Sequence, residues 1–315
     1  MNKKIMKFFV AFGFFVLLFI LAFSFRYVIE KYDILVKEHN GIFPKHQSFS
    51  LNSCERGSER SVRNLILDGS QTETIPILLY HRIIDEEDID KRHYINGKIN
   101  PMVVKTKDFK EQMLFLKNNG YQTLSMSELY AFLNQEIKIP EKTVVLTFDD
   151  GYKDNIIEAY PILKEYGFRA TVFVITGAVT NRTYPFTPKY VQYASLKELK
   201  QSCDVFEYQS HTYNFHKKDH NERDDKPYLV TKTIENVMED IKISVFQLDG
   251  ENLSFAYPYG EYTTKSIDVL KKLGFKMAFT TEERVASSKD HLYEIPRFSI
   301  FSSTTFTEFK TYVQK

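Results

Sequence analysis

The chain has 315 residues and a formal net charge of +1, with 43% hydrophobic and 26% charged residues. This length and ordinary composition allow one large folded domain with a full hydrophobic core. The near-zero net charge argues against a nucleic-acid binder, because such proteins normally carry a basic excess that neutralises phosphates. We therefore expect a neutral substrate and no nucleic-acid partner.

The N-terminus carries a targeting signal. Three lysines within the first seven residues precede an uncharged apolar run at residues 8–25, which Arg26 closes. Such a run is just long enough to cross a bilayer as a helix, and the leading lysines favour a cytoplasmic N-terminus. Residues 1–26 are therefore interpreted as an uncleaved transmembrane anchor, with a cleaved signal peptide as the alternative. Both interpretations place the rest of the chain outside the cytoplasmic membrane, either anchored to it or secreted and associated with the cell surface.

The next range, residues 27–74, is polar and has no sustained hydrophobic periodicity. It is predicted to be a stem that precedes a folded domain at residues 75–315. Cys54 and Cys203 are compatible with one disulfide in an oxidising compartment, although a free pair is equally compatible with the sequence.

Strand-like and helix-like segments alternate along the predicted domain. It opens with a short apolar run, Ile75–Tyr80, which fits a buried strand and has His81 at its end. This alternation predicts a parallel α/β barrel or a doubly wound sheet. Further strands are predicted at residues 121–124, 143–148, 170–175, 205–210, 254–257, 277–280 and 295–300. Helices are predicted at residues 109–116, 127–134, 156–166, 195–201, 231–248, 264–273 and 305–313.

The stretch Val144–Asn155, with the sequence VVLTFDDGYKDN, brings two adjacent acids to the end of a buried strand. In parallel α/β folds, catalytic groups lie at the carboxyl ends of strands. Adjacent carboxylates such as Asp149 and Asp150 repel each other unless a cation or a shared proton relieves the repulsion. A metal site is therefore expected here, and an ordinary Asp-Asp-Gly turn is the alternative.

A second motif, Ser210–His216, directly follows another predicted strand and contains His211 and His216. Their spacing does not place both histidines on one face of a helix, so a turn has to bring them together. With Asp150 they would supply two imidazoles and one carboxylate, which is the ligand set of a catalytic zinc site with open positions. A solvated loop with two incidental histidines is the alternative.

A third motif, Phe255–Glu261, again stands where a predicted strand ends. Proline and glycine around an aromatic residue could fix a turn whose backbone N–H groups stabilise an oxyanion. Taken alone, this motif is more simply interpreted as an aromatic β-turn.

Together these motifs resemble the polysaccharide deacetylase family, a group of metal-dependent carbohydrate esterases. Thr147–Gly151 is similar to the first family motif, His211 with His216 to the second, and Pro258-Tyr259 to a remnant of the third. The resemblance covers roughly residues 75–300. The residues of the second and third motifs further resemble those of the poly-N-acetylglucosamine deacetylases that modify biofilm exopolysaccharide.

This resemblance implies a (β/α)₇ barrel and a hydrolase that removes N-acetyl groups from poly-N-acetylglucosamine. It also implies a divalent metal, first of all Zn²⁺, with Co²⁺, Ni²⁺ and Fe²⁺ as alternatives. By similarity, Asp150, His211 and His216 hold the metal. The resemblance assigns Asp149 as the general base and the backbone N–H of Tyr259 as the oxyanion donor.

The chain departs from the family pattern in two places. Most members carry an arginine two positions before the proline of the third motif, where this chain has Ala256; we predict Arg297 as its substitute. The usual C-terminal Leu-x-His that carries the general acid is missing, but Leu79-Tyr80-His81 reproduces it at the other end of the domain. Because closing a barrel brings its first and last strands together, His81 is predicted to be the general acid.

Other functions stay open from the sequence. Chitin oligomers, peptidoglycan or acetylated xylan could replace poly-N-acetylglucosamine as the substrate. Two histidines and one carboxylate also match an iron(II) oxygenase triad, which would leave Asp149 without a role. A non-catalytic carbohydrate-binding protein of the same fold is a further alternative, because fold alone does not secure activity.

Overall fold

The computed structural model describes residues 3–38, 42–55, 57, 60–63, 65, 70–221 and 224–314, which fall into two compact units. The first unit contains helix α1 (Lys3–Glu38), which continues beyond the predicted end of the anchor at residue 26. Within α1, the segment Lys7–Ile29 is long and apolar enough to cross a membrane, by length and composition alone. A signal sequence would meet the same criterion, so both interpretations of the N-terminus stay open.

A parallel sheet forms the centre of the second unit, Ile42–Lys315. Its main strands in chain order are β1 (Ile77–Tyr80), β2 (Thr143–Asp150), β3 (Ala170–Val174), β4 (Phe206–Ser210), β5 (Ser254–Ala256), β6 (Met277–Phe279) and β7 (Phe298–Ser299). These strands pair in the order β6–β5–β4–β3–β2–β1–β7, and every pair is parallel. The predicted (β/α)₇ barrel is confirmed, and a short strand at Gln122–Thr123 pairs in parallel with the start of β2.

The barrel closes between β6 and β7 through the residues that lead into β7. Ile295 forms a parallel bridge with Phe279. The N–H of Ile295 donates to the carbonyl of Ala278 at 2.9 Å, and the N–H of Thr280 donates to the carbonyl of Ile295 at 2.8 Å. Because this segment is part of the wall, Arg297 enters the barrel from a fixed position, two residues beyond Ile295.

Helices connect the strands, and their ends follow ordinary capping rules. Ser125, Ser195, Thr263 and Thr305 each accept a hydrogen bond from a backbone N–H in the first turn of the following helix. A π-helical turn at Asn155–Ala159 precedes α4. The helices are α2 (Thr106–Asn118), α3 (Met126–Leu133), α4 (Tyr160–Tyr166), α5 (Leu196–Ser202), α6 (Tyr228–Thr231), α7 (Ile234–Gln247), α8 (Thr264–Lys272) and α9 (Phe306–Val313).

Short strand pairs surround the barrel and order several of its loops. In the charged stretch that follows β1, one pair joins the two ends of the stretch and a second pair forms a hairpin inside it. These outlying pairs are Gln71–Thr72 with Ile139–Pro140, Thr74–Ile75 with Ala286–Ser287, Arg82–Ile84 with Val103–Lys105, Tyr94–Ile95 with Lys98–Ile99, and Lys218–Asn221 with Asp224–Pro227.

Strand β2 is buried along its whole length and presents two different faces. Leu146 and Phe148 belong to the large apolar core on one side of the sheet. Because successive side chains of a strand point to opposite faces, Val145, Thr147 and Asp149 share the other face. The strand therefore carries an acid on the same face as apolar and hydroxyl side chains, at its carboxyl end.

Residues 42–55, here called the strap, pack onto the barrel and do not form part of a polar stem. Phe43 and Phe49 are only 2% and 1% exposed, and with Leu51 they belong to the main apolar core. The predicted stem boundary at residue 74 needs correction for this stretch, because isolated apolar residues in a polar sequence produce no periodic signal. Other parts of the predicted stem, at residues 39–41, 56, 58–59, 64 and 66–69, lie outside the described residues.

Several contacts attach the strap to residues that are distant in sequence, among them two backbone hydrogen bonds and a disulfide. The N–H of Phe43 donates to the carbonyl of Gly177 at 2.8 Å, and the N–H of Phe49 donates to the carbonyl of Gln247 at 2.8 Å. Cys54 and Cys203, whose pairing the sequence left open, form a disulfide. The strap thus joins the ends of β3, α5 and α7.

Candidate active site

The carboxyl ends of the strands surround a cavity of about 450 Å³. Six of the residues singled out in the sequence line it: His81, Asp149, Asp150, His211, His216 and Tyr259. The other lining residues are Leu79, Met102, Tyr152, Tyr257, Gly260, Thr281, Glu283, Ser299 and Phe301. The cavity thus lies at the end of the barrel where parallel α/β folds place their active sites.

Asp149 forms a two-point ion pair with Arg297 inside the barrel. Nη1 and Nη2 of Arg297 donate to Oδ1 and Oδ2 of Asp149, each at 2.8 Å. Nε of Arg297 donates to the carbonyl of Thr280 at 3.0 Å. The guanidinium also lies 5.5 and 5.7 Å from the ring centroids of Phe173 and Phe279. These contacts leave the fully buried guanidinium one orientation, in which both its terminal nitrogens face Asp149.

The ion pair with Arg297 lowers the pKa of Asp149. Burial raises the pKa of Asp149, but the charge and hydrogen bonds of Arg297 oppose it and, with His211, bring the pKa below its ordinary value. The carboxylate is therefore ionised at neutral pH. A bidentate arginine–carboxylate pair also fixes the plane of the carboxylate.

Asp150, His211 and His216 form a cluster with the geometry of a metal site. Nε2 of His211 and Nε2 of His216 lie 3.4 and 3.2 Å from Oδ1 of Asp150. One ligand atom from each residue lies within 4.8 Å of the others. Oδ1 of Asp150 is buried and has no hydrogen-bond partner among the described residues, which is costly for a carboxylate oxygen. A cation at this point would satisfy it, so the donor set fits a divalent metal.

A hydrogen bond of His211 and a lowered pKa of His216 favour metal binding by the two imidazoles. Nδ1 of His211 lies 2.7 Å from the carbonyl of Ala256. Donation from Nδ1 to this carbonyl leaves Nε2 free as a ligand, which is the usual arrangement around metal-bound histidines. Burial lowers the pKa of His216 to about 4 despite the opposing charge of Asp150, so His216 is neutral at pH 7. The position where family members carry arginine thus supplies a backbone acceptor in this chain.

Two consecutive residues with positive φ form a turn at Asp150, and this turn directs the side chains of the two adjacent acids to different partners. Asp150 has φ 76° and Gly151 has φ 78°, so the chain turns sharply as β2 ends. Such a conformation is unfavourable for a non-glycine residue and is frequent at functional sites. A Cβ at Gly151 would also lie 3.1 Å from Cγ1 of Val174, which leaves little room for a side chain. The turn lets Asp149 face Arg297 while Asp150 faces the histidines.

His81 and Tyr259 lie on the rim of the same cavity. His81 directly follows β1, and its carbonyl accepts a hydrogen bond from Nδ2 of Asn155 at 2.7 Å. Desolvation lowers the pKa of His81, although the charges of Asp150 and Asp149 oppose this shift. Tyr259 has φ 60°, and its ring centroid lies 4.5 Å from that of His216.

Comparison with known proteins identifies the chain. A family model described as polysaccharide deacetylase matches residues 136–278. A Bacillus subtilis protein named "Putative polysaccharide deacetylase YxkH" is 31% identical over 241 residues, which cover 76% of each chain. The chain belongs to the polysaccharide deacetylase family. The deacetylase is also 28% identical over 232 residues to a Staphylococcus aureus poly-beta-1,6-N-acetyl-D-glucosamine N-deacetylase, covering 71% of this chain and 77% of that one.

Solved structures show the same fold as the deacetylase. The Streptococcus pyogenes deacetylase PplD, in complex with acetate, has a TM-score of 0.65 and 28% identity, covering 78% of this chain and all of that one. IcaB from Ammonifex degensii has a TM-score of 0.62 and 23% identity, covering 78% of this chain and 99% of that one.

Sequence reasoning missed part of the wall of the deacetylase site. Tyr152 lines the cavity, and its ring stacks on Tyr193 with centroids 5.4 Å apart. Burial, and then the charge of Asp150, raise the pKa of Tyr152, so its hydroxyl stays protonated. Arg82 lies over the same ring and pairs with Asp154 at 2.8 Å. The position of Tyr152 immediately after Asp-Asp-Gly was the available signal, whereas nothing in the sequence points to Tyr193.

Proposed function

We propose that the chain is a metal-dependent hydrolase that removes N-acetyl groups from poly-N-acetylglucosamine exopolysaccharide outside the cell membrane. The observation that carries the proposal is the juxtaposition of an arginine-paired carboxylate, Asp149, with a histidine–carboxylate cluster in one cavity. The name of the Staphylococcus aureus relative supports poly-N-acetylglucosamine as the substrate. Acetate in the PplD complex is the product that such a reaction would release.

In this proposal Asp150, His211 and His216 hold a divalent metal. Zn²⁺ is our assignment, and Co²⁺, Ni²⁺ or Fe²⁺ would also suit two imidazoles and a carboxylate. Bound there, the metal supplies Lewis-acid polarisation and lowers the pKa of a water molecule. An iron(II) oxygenase would use the same three ligands but would give no task to the Asp149–Arg297 pair.

The remaining groups act on protons and on developing charge. Asp149 accepts the proton of the attacking water, and Arg297 holds the accepting carboxylate in place. The backbone N–H of Tyr259 donates to the oxyanion that forms as the amide carbon becomes tetrahedral. His81 then protonates the leaving amine while the carbon–nitrogen bond breaks, giving acetate and a glucosamine unit. Because burial lowers the pKa of His81, its imidazole first takes up the proton that Asp149 has removed from the water, and this is the proton that it passes to the amine.

Two features support a site of action outside the membrane. The apolar segment Lys7–Ile29 is suitable as an anchor or as a signal sequence. The Cys54–Cys203 disulfide is typical of proteins that mature in an oxidising compartment.

Acetate release by the full chain in detergent tests the function and the substrate together. We expect acetate release from poly-N-acetylglucosamine, its loss after treatment with a chelator, and its recovery when Zn²⁺ is added back. The reason is that activation of the attacking water requires the bound metal. Chitin oligomers, peptidoglycan and acetylated xylan are the comparison substrates. Faster release from one of these would replace the proposed substrate. Turnover that survives complete metal removal would contradict the metal-dependent mechanism.

Arg297→Ala tests the role of the arginine as the residue that orients Asp149. We expect activity to fall about 10–100-fold, as for other residues that orient catalytic groups. Without the guanidinium, burial raises the pKa of Asp149, so the acidic limb of the kcat/KM profile should move to higher pH. The measurement is a pH–rate profile of the folded variant.

Arg63→Ala is a matched control, because Arg63 also donates to both carboxylate oxygens of a buried acid, Glu128, away from the cavity. Loss of either arginine should destabilise the fold, since the remaining carboxylate is left unpaired. Only Arg297→Ala should move the pH profile. An unchanged profile in folded Arg297→Ala would remove the orienting role.

A further inference from the structure

Behind the loop that carries the two cluster histidines lies a buried acid with no assigned task. Asp240 is on α7 and is only 4% exposed. Its Oδ1 accepts a hydrogen bond from the N–H of Tyr213 at 2.9 Å, and its Oδ2 accepts one from the N–H of Asn214 at 2.8 Å. One side chain thus accepts from two successive backbone N–H groups between His211 and His216.

The loop needs such a partner because its backbone leaves regular structure directly after β4. Thr212 has φ 74°, which turns the chain out of the strand. The following N–H groups therefore have no partner in a sheet or a helix, and a buried donor without a partner is unfavourable. A carboxylate can accept several hydrogen bonds at once. Burial raises the pKa of Asp240 to about 6 although these bonds oppose the shift, so it is ionised at neutral pH and acts only as an acceptor.

The opposite side of the loop is held by backbone groups that follow β3. The N–H of Thr176 donates to the carbonyl of Thr212 at 3.1 Å, and the N–H of Gly177 donates to the carbonyl of Tyr213 at 2.8 Å. A Cβ at Gly177 would lie 2.4 Å from that carbonyl oxygen, so the approach requires glycine. The hydroxyl of Tyr213 donates to the carbonyl of Phe43 in the strap at 2.8 Å. The carbonyls of the loop are thus fixed from one side and its N–H groups from the other, by Asp240.

We propose that Asp240 is a positioning residue for the metal cluster: it fixes the backbone at residues 213 and 214 so that the ligand atom of His216 lies close to those of His211 and Asp150. This inference rests on the proposed function, in which these three residues hold the metal. His211 is fixed independently by the carbonyl of Ala256 and by its own N–H, which donates to the carbonyl of Val174 at 3.0 Å. His216 is 20% exposed in its side chain and depends on the loop for its position.

Asp240→Asn tests the proposal in the full chain in detergent. The substitution keeps the size of the side chain but replaces one acceptor oxygen by an NH₂ group that faces backbone N–H donors. We expect the dissociation constant for Zn²⁺ of the metal-free protein, measured by titration calorimetry, to rise about 10–100-fold. Acetate release by the variant should recover at saturating Zn²⁺, because the catalytic groups themselves are unchanged.

Glu128→Gln is the matched control, since Glu128 is a buried carboxylate that also accepts from a backbone N–H, that of Ser125 at 2.9 Å. It should leave the Zn²⁺ affinity unchanged even if it lowers the melting temperature. Equal loss of affinity in both variants, or wild-type affinity in folded Asp240→Asn, would overturn the positioning role.

Asp240→Glu provides a second variant if Asp240→Asn does not fold. It keeps the charge but displaces the carboxylate, and we expect a smaller loss of Zn²⁺ affinity. If neither variant folds, Asp240 is needed for folding itself and the positioning role is rejected. The Zn²⁺ titration of the wild type distinguishes failure of the metal-dependent function from failure of the positioning role. A wild-type protein that binds no divalent metal would refute the metal-dependent function, independently of the result for Asp240.

Discussion

Asp149→Asn is expected to lower kcat for acetate release about 10²–10⁴-fold, which is the usual contribution of a general base. Asparagine keeps the shape of the side chain and can still accept from Arg297, but it cannot take a proton from water at neutral pH. Because the metal cluster uses the neighbouring acid, Zn²⁺ affinity should stay close to that of the wild type. Steady-state kinetics and a Zn²⁺ titration on the same preparation measure the two effects.

Glu128→Gln is again the control, because it neutralises a buried carboxylate that is also paired with an arginine. It should retain activity. If Asp149→Asn retained wild-type turnover, the general base would have to be sought elsewhere in the cavity. If Asp149→Asn instead lost Zn²⁺ binding, Asp149 would belong to the ligand set.

A chain that begins at residue 71 is expected not to fold, whereas one that begins at residue 42 should fold. The shorter chain lacks the strap, and each fully buried Phe or Leu side chain contributes about 1.5–3 kcal/mol. It also lacks a disulfide, whose removal typically costs about 2–5 kcal/mol. These losses are comparable with the whole stability of an ordinary domain, about 5–15 kcal/mol. Thermal unfolding followed by circular dichroism compares the two chains.

Phe43→Ala in the longer chain separates packing of the strap from its disulfide. It should destabilise the protein by about 3–5 kcal/mol, the usual cost of truncating a buried phenylalanine. Cooperative unfolding of the chain from residue 71, at the same temperature as the chain from residue 42, would show that the strap is dispensable.

The sequence was sufficient to predict the barrel because strand-like and helix-like segments alternate and several of the strands end in a recognisable motif. Strand β2 is mostly apolar up to Asp149, and β4 leads directly into His211, so the sequence alone places both motifs at the carboxyl ends of strands. Parallel pairing then brings such ends to one edge. The convergence of these residues on one cavity follows from topology, and their catalytic roles stay predictions for the experiments above.

The strap and the role of the buried acid Asp240 could not be predicted, because their contacts leave no local pattern. Phe43 and Phe49 are single aromatic residues in a polar stretch, and the carbonyls to which their backbone N–H groups donate lie more than a hundred positions away. Asp240 occupies an amphipathic helix, where an acid is normally interpreted as part of the solvated face. Only the arrival of the loop at residues 213 and 214 gives this acid a partner. Contacts that depend on tertiary structure alone leave no local pattern in the sequence.

The attachment of the strap constrains the order in which the chain can fold. The strap is synthesised before any strand of the barrel, yet Cys203 follows Cys54 by 149 residues and Gln247 comes later still. Phe43 and Phe49 therefore have no complete binding surface until α7 has been made, and the nascent chain keeps them exposed for most of its synthesis. Folding of this unit cannot proceed simply from its N-terminus to its C-terminus, because the strap is the first part of the unit to be synthesised and among the last to be covered. The disulfide can then form as one of the final steps and retain a segment that arrived early and docked late.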